Sequence, residues 1–147
     1  MNIPFSPPDI TEAEINEVAE ALRSGWITTG PRTKELEKRL SEYCHTSKTV
    51  CLNSATAAEE LNFRICGIGD GDEVIVPAYT YTATASAAIH CGAKVVFVDS
   101  QKDSTEMDYD KVAAAITERT KAIVAVDLAG IVADYDRLYS CLLYTSE

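Results

Sequence analysis

The sequence has no C-x-x-C pair, no His/Cys grouping at metal-ligand spacing and no apolar run approaching the ~18 residues of a membrane span. A resident metal is therefore not expected. Histidine is scarce: His45 and His90 stand alone, each expected as a surface or capping residue. Cys44, Cys51, Cys66, Cys91 and Cys141 follow no disulfide framework. They are expected to be reduced and mostly buried, which suits a cytoplasmic chain. Positive charge is short, with 13 Lys and Arg against 23 Asp and Glu, for a net charge of −10. That excludes nucleic acid and acidic membrane surfaces as expected partners. It leaves an anionic small molecule open, because a helix mouth can override net charge locally. No Walker motif occurs, and "MNIPFSPPDI" has neither the basic start nor the apolar run of a signal peptide. At 147 residues the chain amounts to one domain or part of one.

What is present is a run of alternating elements. "TEAE" (Thr11–Glu14) reads as a capping box opening a helix whose apolar face is Ile15, Val18, Ala19 and Leu22, with Gly25 closing it. "GWITTGP" is a loop with one large aromatic, Trp26. A second helix follows through "TKELEKRLSEY", with Leu36, Leu40 and Tyr43 on its apolar face and Glu35 four residues before Arg39. Strands are then expected at 48–52, 73–77, 94–99 and 122–127. Each precedes a helix: Thr56–Cys66, "TATASAAIH", "DYDKVAAAI" and one starting near Asp134. Short apolar strands alternating with helices predict an α/β fold with a parallel, two-sided sheet. "SCLLYTSE" at the end has no helical period, and residues 140–147 are expected to be a non-native or truncated tail.

Two places resemble phosphate sites. "GIGDGDE" (Gly67–Glu73) lacks the third glycine of G-x-G-x-x-G and sits after a helix and before a strand, the reverse of a dinucleotide turn. Gly67 is better read as a helix C-cap. "NSAT" (Asn53–Thr56) has the required order of strand, small residues and helix start. Its amides carry the positive end of the helix dipole, and Ser54 and Thr56 add hydroxyls. A plain N-cap explains it equally well. "VPAYTYTATASA" lies at the carboxyl end of a strand, where open α/β sheets bind ligands. Tyr81 there could stack on a planar ring, or Tyr79 and Tyr81 could be core aromatics.

Several blocks together, "IPFSPPDITEAEINEVAEALRSGWITTGP", "NSATAA", "GIGDGDEVIVPAYTYTATASAAIHCGAKVVFVD" and "RTKAIVAVDLAG", resemble the DegT/DnrJ/StrS family. These are pyridoxal phosphate (PLP)-dependent sugar aminotransferases of the type I fold. The resemblance runs from about Ile3 to Tyr139, so residues 1–139 are expected to be the N-terminal part of the large domain, holding strands 1–4 of seven and incomplete. It implies that Ser54, Ala55 and Thr56 hold the cofactor phosphate and that Tyr81 stacks on the pyridine ring. "GWITTGP" matches a stretch near the family's active site. The implied activity is transfer of an amino group, from glutamate, to a keto-sugar nucleotide by a cytoplasmic homodimer.

The sequence departs from the family in two ways. Glu59 and Glu60 follow "NSATAA", where the first position is usually apolar. They are expected to point away from the cofactor, with Ala58, Leu61 and Ile65 forming the buried face. The later blocks are absent: E-D-A-A, whose Asp pairs with the pyridine nitrogen, and S-F-H-x-x-K, whose Lys is the Schiff-base residue. None of Lys34, Lys38, Lys48, Lys94, Lys102, Lys111 and Lys121 has that context. Asp99 and Asp127 end strands without matching the pyridine block. No catalytic residue is therefore assigned, and this stretch alone is expected to be inactive and poorly stable. The family's strand order, 3-2-4-5-6-7-1, makes 73–77 the neighbour of both 94–99 and 122–127, and leaves 48–52 without a partner. Two other readings stand beside this one: a PLP-dependent sugar dehydratase of the same family, and a non-catalytic α/β phosphate-binding module.

Overall fold

A computed structural model describes residues 3, 4 and 6–143, in two compact units, Met1–Cys51 and Leu52–Glu147. In the first unit, helix α1 spans Glu12–Arg23 and α2 spans Pro31–Tyr43. The capping box forms: Ala13 N–H donates to Thr11 Oγ1 at 3.2 Å and Thr11 N–H to Glu14 Oε2 at 2.6 Å. Gly25, at φ +72°, follows the C-cap Ser24. Trp26 Nε1–H donates to the Thr29 carbonyl at 3.0 Å, and its ring lies over Gly30, where a Cβ would sit 2.0 Å from that nitrogen. Glu35 accepts from Arg39 Nε at 2.7 Å. Neither helix buries a residue. Ile15, Val18, Leu22 and Leu36 are all at least half exposed, so the apolar faces expected from the periodicity are open.

The expected strand at 48–52 does not form. Ser41 Oγ donates to Thr49 Oγ1 at 2.9 Å and Cys51 N–H to Glu37 Oε1 at 2.9 Å, so this segment bonds to side chains of α2 instead. A strand with no neighbour must satisfy its peptide groups elsewhere.

The second unit contains α3 (Ala55–Ile65), β1 (Glu73–Pro77), α4 (Ala83–His90), β2 (Lys94–Val98), α5 (Tyr109–Ala115), β3 (Thr120–Ile123) and α6 (Tyr135–Leu143). The strands form one parallel sheet in the order β2-β1-β3, the neighbour relations implied by the family order. β3 begins two residues earlier than expected, and the register shifts at Glu73/Val74. Along the fully buried β1, Val74 and Val76 face one layer and Ile75 the other. The first layer packs Phe63, Ile68, Ala87, Ala88 and Ala93; the second packs Val98, Met107, Tyr109, Val112 and Leu138. Helix α6 carries the chain in regular structure past residue 139, to Leu143. Residues 144–147 of the expected tail lie outside the described residues. The expectation of buried cysteines also fails. Cys44, Cys66 and Cys91 are helix C-caps, two of them exposed, and Cys51 and Cys141 are half-buried.

Candidate cofactor-binding site

Ser54 is the N-cap of α3, with extended backbone (φ −160°, ψ 157°). Its Oγ accepts from Ala57 N–H at 3.1 Å and its carbonyl from Ala58 N–H at 3.2 Å. The N–H groups of Ala55 and Thr56 have no partner among the described residues. The Ser54 hydroxyl keeps its own proton to donate, and the first turn of α3 holds no acidic residue. Capping explains one bond at this mouth and leaves two amides and two hydroxyls open, a donor set suited to an anionic oxygen cluster.

Tyr81 follows the carboxyl end of β1, its carbonyl accepting from Thr84 N–H at 3.2 Å as α4 begins. It is 80% exposed, and Tyr79 is 61% exposed, so neither is a core aromatic. An unpacked ring at a strand's carboxyl end is free to stack on a planar ligand.

Helices α3 and α4 meet through the last residue of α4. Arg64, near the C-terminus of α3, donates to the carbonyl of His90, the last residue of α4, at 3.4 Å. Glu60, further back on α3, contacts the His90 ring. The end of α4 therefore packs against the Glu60–Arg64 stretch of α3, while Ser54 opens α3 and Tyr81 precedes α4.

The expected buried face of α3 is corrected. Phe63 is the buried residue; Leu61 is 40% exposed and Ile65 74% exposed. Packing against α4 turns Glu60 toward His90, and Glu59 lines a cavity of about 330 Å³ with Asn62, Phe63, Ile123, Tyr135 and Tyr139. Burial raises the Glu59 carboxyl pKa, and its Oε2 has no hydrogen-bond partner among the described residues.

The Gly67–Glu73 loop closes as a turn. Gly67 takes φ +71°, its N–H donates to the Arg64 carbonyl at 3.1 Å, and Ile68 N–H donates to the Phe63 carbonyl at 2.9 Å. Asp72 Oδ2 accepts from Gly69 N–H at 3.0 Å. Asp127 Oδ1 accepts from Ala133 N–H at 3.0 Å and Asp99 Oδ1 from Ser100 N–H at 2.9 Å, so both carboxylates pin local backbone. Lys94 and Lys111 are engaged in ion pairs, with Glu73 and with Asp99 and Asp108. Lys102 and Lys121 are exposed. The pairing of Glu60 with His90 carried no signal in the sequence, where the two residues are thirty positions apart.

The family model for the DegT/DnrJ/EryC1/StrS aminotransferases matches residues 8–141. The chain belongs to this family. Among curated relatives, it is 44% identical over 137 residues to the UDP-4-amino-4-deoxy-L-arabinose--oxoglutarate aminotransferase of Shewanella sediminis, covering 93% of this chain and 35% of the relative. It is 41% identical over 136 residues to the spore coat polysaccharide biosynthesis protein SpsC of Bacillus subtilis, covering 92% and 35%. Among solved structures, Spr1654 of Streptococcus pneumoniae, described as a sugar aminotransferase, superposes with a TM-score of 0.90 at 67% identity, over 96% of this chain and 36% of that one. It has been solved in PMP, PLP and apo forms. A GDP-4-keto-6-deoxymannose-3-dehydratase superposes at 0.87 with 25% identity, over 96% of this chain and 38% of its own. This DegT-family chain thus spans about a third of the length of the curated relatives it matches.

Proposed function

We propose that the protein from which this chain comes is a PLP-dependent aminotransferase that moves an amino group from glutamate to a keto-sugar nucleotide, as a cytoplasmic homodimer. The observation that carries the reading is the pair of amides, Ala55 and Thr56, left without a partner among the described residues at the mouth of α3, beside an unpacked Tyr81 ring beyond the carboxyl end of β1. The family membership and the PLP forms of Spr1654 support it.

In this reading Ser54, Ala55 and Thr56 bind the cofactor phosphate through two backbone N–H groups and two hydroxyls, reinforced by the α3 dipole. Tyr81 covers one face of the pyridine ring and keeps water from it. PLP supplies, when bound, the electron sink that amino-group transfer requires. The chain contributes binding and orientation. The lysine and the pyridine-nitrogen carboxylate of the family have no counterpart among its residues, so we expect no transamination from it alone.

Binding of pyridoxamine 5′-phosphate tests the site, because this form has no aldehyde to react with surface lysines. Fluorescence titration should give saturable binding that Thr56→Glu weakens more than about tenfold, since a carboxylate would face the phosphate across a few ångströms. Equal affinity in the variant would remove the phosphate turn from the reading. Borohydride reduction of a PLP-treated sample should leave no stoichiometric adduct, and trapping at one lysine would overturn the assignment of no catalytic lysine.

A further inference from the structure

Helices α3 and α4 carry the two halves of the proposed site on separate crossovers. Their hydrophobic contact is built from Phe63 and a set of small side chains, Ala85, Ala87, Ala88 and Cys91. Small side chains allow close approach but interlock weakly, so they resist sliding of one helix along the other poorly. Three polar bonds join the helices among the described residues, and all three meet at His90 and Cys91. His90 Nδ1 bonds Glu60 Oε1 at 2.6 Å, Arg64 donates to the His90 carbonyl at 3.4 Å, and Cys91 Sγ–H donates to the Glu60 carbonyl at 3.6 Å. The Glu60–His90 bond is the shortest of them and joins two side chains, one from each helix. Glu60 is partly shielded, its side chain 28% exposed.

We propose that Glu60 and His90 are positioning residues that set the spacing between the phosphate turn and the ring of Tyr81; this rests on the reading of Ser54–Thr56 and Tyr81 as one site. Glu60 lies about one and a half turns along α3 from its mouth, and His90 ends the helix that Tyr81 precedes. A bond between them fixes the slide of α3 against α4 and hence the distance between the two ends. A ligand that touches only the turn is indifferent to that distance. A ligand that spans turn and ring is not.

The test compares inorganic phosphate with pyridoxamine 5′-phosphate, titrated into the chain and into Glu60→Ala, Glu60→Gln, Tyr81→Ala and the Glu60→Ala/Tyr81→Ala double variant. We expect Glu60→Ala to leave the phosphate Kd unchanged within twofold and to weaken pyridoxamine 5′-phosphate about fivefold. Glu60→Gln, whose amide oxygen still accepts from His90 Nδ1–H, should recover most of that loss. In the Tyr81→Ala background the effect of Glu60→Ala should vanish, since the ring it positions is gone. Unchanged pyridoxamine 5′-phosphate affinity in Glu60→Ala would overturn the proposal. So would an equal loss of both ligands, which would mark a general weakening of α3, or an effect that persists without Tyr81. A parent chain that binds neither ligand would refute the site reading itself and this inference with it.

Discussion

Glu73 Oε1 accepts from Lys94 Nζ at 2.9 Å across the paired starts of β1 and β2. The same oxygen accepts from Arg119 at 3.0 Å, and Oε2 accepts from Thr117 Oγ1 at 2.7 Å. One carboxylate, its side chain 3% exposed, thus ties together the amino ends of all three strands. Its hydrogen bonds from Lys94, Thr117 and Arg119 hold its pKa at about 2, below the ordinary 4.5.

The sign of the resulting pH dependence follows from linkage. A carboxyl whose pKa is depressed on folding stabilises the fold fully above its unfolded pKa, and that stability disappears as pH falls through the folded value. The second unit should therefore lose stability between about pH 4.5 and pH 2. Urea midpoints measured at pH 7 and at pH 3 should show the drop, and Glu73→Gln should flatten it. A Glu73→Gln profile as steep as that of the parent would mean that other carboxyls carry the dependence.

Gly67 lies in the left-handed region with nothing within 4 Å of where a Cβ would stand. Gly67→Ala should consequently cost only the backbone penalty, roughly 1–2 kcal/mol, with no steric clash added. Chemical denaturation checks it. A neutral result would show that the α3 terminus relaxes freely, despite the Phe63–Ile68 bond and the shared burial of those two side chains.

Among the described residues no strand pairs with the outer edge of β3. Val124 N–H donates to the Ile75 carbonyl at 2.9 Å, so the adjoining peptide groups at Ile123 and Ala125 point away from β1. Tyr139, 64% exposed, lines the groove beside them. An open edge whose strand carries one charged residue, Lys121, is weakly guarded against pairing with other chains. Sedimentation velocity should show concentration-dependent association, which Tyr139→Lys should reduce while changing stability by less than about 0.5 kcal/mol. A parent chain that sediments as a monomer at every concentration would show the edge to be protected.

Local features were legible because their partners are near in sequence. Thr11 and Glu14 are three residues apart, Glu35 and Arg39 four, and Gly67 sits one residue beyond a helix C-cap. The alternation of Val74, Ile75 and Val76 between two layers follows from the strand period, once the apolar run is recognised as two-sided. The orientation of α3 was not legible. Ala58, Leu61 and Ile65 satisfy a helical stripe, but the helix buries Phe63, which packs in one cluster with Ala87 and Ala88 of α4 and Val74 and Val76 of β1. Hydrophobic period names a stripe; it does not say which neighbour the stripe will find.

From the sequence alone came the element types, the caps, the parallel two-sided sheet, and the candidate turn and ring, since each depends on bonds or periodicities within a few residues. Only the tertiary structure decided that 48–52 is no strand, that Tyr81 stands unpacked, and that Glu73 and His90 hold partners twenty-one to forty-six residues away. The reason is geometric. A crossover of variable length separates those partners along the chain, and only the closed β-α-β path brings their side chains to within a hydrogen bond.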